Sequence, residues 1–193
     1  MEEQPNRKEE GESERKTHPR IYVASLSDYN AGRLHGGWFA ADREAEEIEK
    51  EIGFMLASSP EPVAEEWAIH DHEGFGLAFI SEYESLETVS RLALGIAEHG
   101  LAFAAWAAVQ NNYEEALGRF DDAYLGNWES LEDYAEDLLG DLGLDEPEKH
   151  VPEWIRRYLT FDVEAFARDL ELGGDVISVK APDGSVWVFD GHE

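Results

Sequence analysis

The amino-acid sequence predicts an α+β protein, with small antiparallel sheets and helices at both ends of the chain and a helical middle. Three observations predict it. Residues 21–41 and 176–190 hold short apolar–polar alternations separated by turn chemistry, the period of half-buried strands. Between Ala45 and Leu142, apolar residues return mostly at three- and four-residue spacing, which lines one face of a helix. No segment repeats at a fixed period, so a solenoid or propeller is not expected.

Residues 1–19 mix Glu, Lys, Arg, Ser and Pro with almost no apolar content, so they cannot offset the entropy of ordering and read as a disordered tail. Order begins at Ile21, where RIYVASLS sets Ile21, Val23 and Leu26 against polar neighbours as a strand. SDYNAGRLHGG is a turn-rich connection, and GWFAA from Gly37 is a second strand. Asp42 is the expected cap of a helix on which Ala45, Ile48, Ile52 and Met55 share a face, with Pro60 and Pro62 ending it. EEWAIHD supplies a third strand and completes an N-terminal α+β domain over residues 20–84.

Ser85 then caps a helix with Leu86, Val89, Leu92, Ala93 and Ile96 on one face and Gly100 as its stop. LAFAAWAAVQ is apolar nearly all round, so it predicts a helix buried among others. NNYEEALGRF adds a short helical piece and closes a central helical domain over 85–120. In the C-terminal α+β domain, 121–193, Ser130 is an N-cap with Asp133 three residues on, a variant of the capping box. Leu131, Tyr134, Ala135, Leu138, Leu139 and Leu142 form the apolar face of that helix; Gly140 weakens its last turn and Gly143 ends it. WIRRYL and VEAFARDLEL read as helical, and GDVISVK with SVWVFD reads as a hairpin about Pro182-Asp183-Gly184.

Composition narrows the function. The chain has 193 residues, of which 42% are hydrophobic, enough for a real core. It has no cysteine, which excludes disulfides and thiolate metal sites. No apolar run approaches the roughly 18 residues of a membrane span, and the start lacks the apolar core of a signal peptide, so a cytoplasmic location is expected. The net charge is −29, unevenly spread. Residues 51–148 hold 23 acids against only Arg91 and Arg119, while the segments on either side are far more balanced. General acidity would acidify every segment, which this chain does not show. Direct binding to nucleic acid or to an anionic membrane needs lysines and arginines, so the expected partner is basic.

Carboxylate pairs carry no information among 44 acids, and no phosphate loop or nucleophile motif appears, so the sequence does not argue for an enzyme or a cofactor. His70-Asp71-His72-Glu73 would place two imidazoles on one face of a strand, yet no second ligand cluster accompanies it, and a polar strand end explains it as well. Counting from Asp121, Gly126 and Glu132 take positions six and twelve of a calcium loop, but Ala123 and Leu125 fill two ligand positions without a side-chain oxygen. What remains is the charge itself. A helix from Leu131 to Leu142 is about 18 Å long, so Glu132, Asp133, Glu136, Asp137 and Asp141 on its outer side present one charge per ~3.6 Å, against ~3.4 Å along one DNA strand. Imitation of a phosphate backbone, an acidic chaperone for basic proteins and a merely solubilising face are all compatible with that density.

IYVASLSDYNAGRLHGGWFAA (21–41), EEWAIHDHEGF (65–75), FDDAYLGNWESLEDYAEDL (120–138) and YLTFDVEAFARDLELGGDVIS (158–178) together resemble the ArdA antirestriction family, in order and over nearly everything after Arg20. The resemblance implies a DNA mimic carried by mobile elements that binds type I restriction-modification enzymes, at their methyltransferase core, where DNA would bind. It implies an elongated, curved homodimer of three small domains per subunit, with no chemistry, no cofactor and no metal. The family's antirestriction segment corresponds to about Asn111–Gly126, which carries Glu114, Glu115, Asp121 and Asp122 over as partner-binding residues; Arg119 within it is a departure. Glu129, Glu132, Asp133, Glu136, Asp137 and Asp141 complete the expected phosphate surrogates, held by Trp128, Tyr134 and the leucines. The more balanced charge of the C-terminal segment makes it the expected dimer contact, since apposing two acidic faces is costly.

Overall fold

The computed structural model describes residues 18–110, 113, 117–144, 152–156 and 161–193. The expected tail up to residue 17, most of the short helical piece at 111–116, and residues 157–159 of WIRRYL lie outside the described residues. The chain divides into two compact units, Met1–Leu117 and Gly118–Glu193, each with a three-stranded antiparallel sheet. Among the described residues, no helix is long and apolar enough to cross a membrane.

In the first unit β1 (Arg20–Ser25) is the central strand, between β2 (Gly36–Ala40) and β3 (Trp67–Glu73). A central strand is covered on both sides, and Ile21, Val23 and Ala24 are accordingly buried. Pro19 is also buried, its carbonyl accepting from the Ala41 N–H at 2.9 Å. Leu26 leaves the strand to open a five-residue helix, α1 (Leu26–Asn30), where a turn was expected; the Ser25 hydroxyl caps it by accepting from the Asp28 N–H. Helix α2 (Ala45–Ala57) buries Ile48 and Ile52 as the spacing predicts. Its cap is not Asp42: Glu44 occupies that position without a side-chain bond, and Asp42 pairs with His18 at 2.7 Å instead.

β3 runs two residues later than expected and carries a bulge. Tyr22 faces Asp71 while Val23 faces Ile69, leaving His70 as the extra residue. Ala68 and Ile69, which pair in regular register with the buried Ala24 and Val23, are themselves buried in succession. α3 (Leu86–His99) has its Ser85 cap, accepting from Thr88 N–H, and its Gly100 stop at φ 73°. α4 (Leu101–Val109) buries every residue from Ala102 to Ala107.

Asp28, at the start of α1, is fully buried. The Ser59 hydroxyl donates to it at 2.5 Å and Arg33 Nε at 3.4 Å, while Arg33 also pairs with Glu61. The Ser59 bond above all, with smaller contributions from Ser25 and Arg33, holds the Asp28 carboxyl below its ordinary value against the opposing effect of burial. A lowered folded value means this stabilisation is complete above about pH 3.9 and is lost as pH falls through the folded value. Ser59→Ala is therefore expected to move acid unfolding, followed by far-ultraviolet circular dichroism, to higher pH; an unchanged acid midpoint counts against this linkage.

In the second unit the elements are α5 (Phe120–Ala123), β4 (Tyr124–Trp128), α6 (Leu131–Asp141), α7 (Glu153–Arg156), α8 (Val163–Gly173), β5 (Val176–Lys180) and β6 (Val186–Asp190). The sheet order is β4-β6-β5, and the central β6 buries Trp187, Val188 and Phe189 in succession. The β5–β6 hairpin turns where expected, with the Asp183 carboxylate accepting from the Ser185 N–H and hydroxyl. α8 is capped by Asp162, accepting from the Ala165 N–H, and ends at Gly174 at φ 79°. α6 packs on α8 and on the sheet.

Candidate functional site

Helix α6 is the element on which most of the candidate residues converge. Its Ser130 cap forms as the sequence predicts: the hydroxyl accepts from the Asp133 N–H at 3.1 Å and donates to the Asp133 carboxylate at 2.5 Å. Ala135 and Leu139 are buried, and Tyr134 and Leu138 are half-buried beside them. The Trp128 and Tyr134 rings meet edge to face at 5.5 Å, and Trp128 Nε1 donates to the Leu125 carbonyl, so both aromatics fix the helix start. Burial raises the Tyr134 phenol above its ordinary value, with the Asp190 and Asp137 carboxylates adding to the effect. Leu142 departs from the expected apolar face: it is 59% exposed, because the helix ends at Asp141 and Gly143 turns the chain at φ 69°.

Glu132, Asp133, Glu136, Asp137 and Asp141 are all exposed on this helix. Asp133, Asp137 and Asp141 form one row at four-residue spacing, with Glu132 and Glu136 in the row beside it. Eleven residues rise about 16 Å, which keeps these charges at roughly the spacing of phosphates along one strand. Glu132 and Asp133 suit the positive start of the helix, and Asp133 shares in its cap, but the later acids do not serve it. Like charges four apart repel, no base occupies the last turn, and Asp141 sits at the negative end of the dipole. Burial of Ala135 and Leu139 holds the helix despite its charges.

Glu129 is exposed just before α6, and Asp121 and Asp122 are exposed in the first turn of α5. Glu114 and Glu115 lie outside the described residues. Arg119, the basic residue in this segment, donates from Nη1 to the Glu193 backbone oxygen at 3.0 Å. The calcium-loop spacing has another origin. Gly126 lies in β4, next to a bulge where Tyr124 faces Phe189 and Gly126 faces Val188, leaving Leu125 unopposed. Gly126 has φ 122°, and a Cβ there would stand 3.0 Å from Trp128 Nε1, so glycine serves the bulge rather than an ion.

The two imidazoles of the His70–Glu73 run go to different rings. His70 stands 5.0 Å from Tyr29 and His72 stands 5.7 Å from Phe75, both edge to face. Both imidazoles still border one open cleft with Asp71 and Glu82, but among the described residues no three acids or histidines are placed to hold a metal ion. Among the described residues, the carboxyls whose titration is displaced, Asp28, Glu51 and Asp183, are all displaced downward, by Ser59, Arg43 and Ser185 respectively. A general acid needs the opposite displacement.

Sequence reasoning missed one further grouping. A cleft of about 350 Å³ in the first unit is lined by Glu46 and Glu49 of α2, Trp67 of β3, and Tyr83, Glu84 and Glu87 at the start of α3. These residues come from three segments, so no local spacing announces them; the only sequence signal is that both helices begin with acids.

Fold and surface together define an α+β protein whose candidate site is an exposed row of carboxylates on a helix anchored by aromatic and aliphatic contacts. Residues 21–182 match the family model described as antirestriction protein (ArdA), and the chain belongs to this family. Its function is therefore of the antirestriction kind. A search of curated proteins found no match.

Proposed function

We propose that the protein shields incoming mobile-element DNA by binding type I restriction-modification enzymes, at their methyltransferase core, in place of DNA. The observation that carries this reading is α6: five exposed carboxylates at phosphate-like spacing, of which Glu136, Asp137 and Asp141 oppose the stability of the helix that bears them. Asp121, Asp122 and Glu129, exposed in the same unit, extend the acidic footprint, and Glu114 and Glu115 belong to it by family resemblance. The protein acts stoichiometrically in the cytoplasm, as a homodimer of three small domains per subunit, and performs no chemistry on the enzyme or the DNA.

A contact built from many exposed charges weakens with salt. Raising salt from about 50 to about 200 mM is expected to weaken binding of the labelled protein to a purified type I enzyme, without DNA present, by roughly tenfold or more. Duplex DNA bearing the recognition site should displace the protein. Salt-indifferent binding, a complex that DNA does not displace, or equal capture of unrelated basic proteins would each sink the mimicry reading, the last in favour of an acidic chaperone.

A further inference from the structure

We propose that the cleft between the starts of α2 and α3 receives a single arginine side chain of the partner; the proposal rests on the inhibitor reading above and adds one defined subsite to it. The cleft holds about 350 Å³, near the lower end of small-ligand sites, which suits one long side chain rather than a helix or strand. Four carboxylates line it: Glu46, Glu49, Glu84 and Glu87. Glu84 is oriented by two bonds, accepting from the Ser85 N–H and the Ser81 hydroxyl. Glu46, Glu49 and Glu87 have no ion pair among the described residues, and the two bases nearest Glu46 and Glu49 in the chain, Arg43 and Lys50, are engaged elsewhere. Arg43 forks onto Glu51 at 2.8 and 2.5 Å, and the Lys50 ammonium sits 6.0 Å over the Phe54 ring.

Helix dipoles account for an acid in the first turn of α2 and of α3, but not for two aromatic rings among four acids. Trp67 is half-buried in the cleft wall, and Tyr83 is 71% exposed at its rim. Carboxylates and aromatic faces share one ligand chemistry, an organic cation. Among the described residues no three acids or histidines are placed to hold a metal ion, so these carboxylates surround the cleft rather than converge on a point. A guanidinium fits that geometry better than an ammonium. It is planar, stacks on a ring, and spreads five donors over separate acceptors.

The test uses the full chain labelled with nitrogen-15, with the Trp67 indole signal assigned by its loss in Trp67→Phe. Acetyl-Gly-Arg-Gly-amide is titrated at constant ionic strength beside the same peptide carrying citrulline or lysine. Expected is a saturable shift of the Trp67 signal with arginine, none with citrulline, and weaker binding with lysine. The double variant Glu49→Gln/Glu87→Gln should bind the arginine peptide about tenfold more weakly, while Glu164→Gln/Asp169→Asn, at exposed acids outside both the cleft and the α6 array, binds it unchanged. No saturable shift, or a shift indifferent to the Glu49/Glu87 change, overturns the proposal, because attraction to the general field would explain it. Inhibition of a type I enzyme is measured on the same preparation. Inhibition without the Trp67 shift retires the cleft alone, and peptide binding without inhibition retires the inhibitor reading while leaving a cation-binding cleft.

Discussion

Replacing Glu132, Asp133, Glu136, Asp137 and Asp141 together by their amides is expected to weaken binding to a type I enzyme by about 10²-fold, whereas each single replacement costs less than about fivefold. The five are exposed and in two adjacent rows, so each meets a partner cation through water-screened contact worth a fraction of the whole. A distributed site has no dominant residue. The triple replacement of Glu136, Asp137 and Asp141 by amides, which leaves the first-turn acids and the Ser130–Asp133 cap in place, should unfold at a higher temperature than the parent. It loses the repulsion within the pairs Glu132/Glu136, Asp133/Asp137 and Asp137/Asp141, and the unfavourable Asp141 at the helix end. Opposite signs for binding and stability are what a functional charge array produces and a structural one does not. Affinity by anisotropy and thermal unfolding by circular dichroism check both halves. One single variant that abolishes binding with the fold intact, or a quintuple variant that binds as the parent does, defeats the distributed mimic.

Much of this arrangement was legible in the residues. Apolar spacing with chemical caps located α3, α4 and α6, because Ser85, Ser130 and the glycines 100 and 143 act locally, and apolar spacing alone located α8. The apolar face of α6 and its opposite acids followed from spacing alone, except Leu142, which a one-residue overrun placed inside. Strand β4 was not legible. YLGNW is five residues with a glycine and an asparagine, no alternation, and acids on either side. It becomes a strand because β6, 58 residues on from its own end, offers an unpaired edge, a tertiary cause that no window in the sequence contains. The same limit hid the bulge at His70, which exists only in the register between β1 and β3. Asp28 shows the reverse problem. In SDYNAG it looks like turn chemistry, and only its burial beneath Ser59, 31 positions away, reveals it as a structural centre. The cleft around Trp67 is of this kind too, assembled from segments that share nothing but proximity in the fold.

Trp106→Ala is expected to remove about 3–5 kcal/mol of stability, the largest effect of any single substitution considered for the first unit. The reason lies in the composition of α4. Ala102, Ala104, Ala105 and Ala107 are all buried, so Phe103 and Trp106 supply the large buried side chains of the helix. Alanines have no rotamers with which to fill a void, which places the cost of losing a fully buried indole toward the upper part of that range. The neighbouring contact is tight in the opposite sense. A Cβ on Gly95 of α3 would stand 2.3 Å from the Phe103 ring, which is itself 3% exposed and stacked on His99 at 5.7 Å. Gly95→Ala should therefore cost about 1–3 kcal/mol by overpacking, although alanine is the better helix former. Val109→Ala, at the 40% exposed end of the same helix, serves as a control and should change stability by less than about 0.5 kcal/mol. Urea denaturation followed by circular dichroism ranks the three. A Trp106→Ala loss below about 1 kcal/mol, or a Gly95→Ala gain, contradicts the packing of α3 on α4. Because α3 also carries Glu87 at the cleft and packs on α2, which carries Glu46 and Glu49, the order of these losses should reappear as the order of weakening in the arginine-peptide titration at partly denaturing urea.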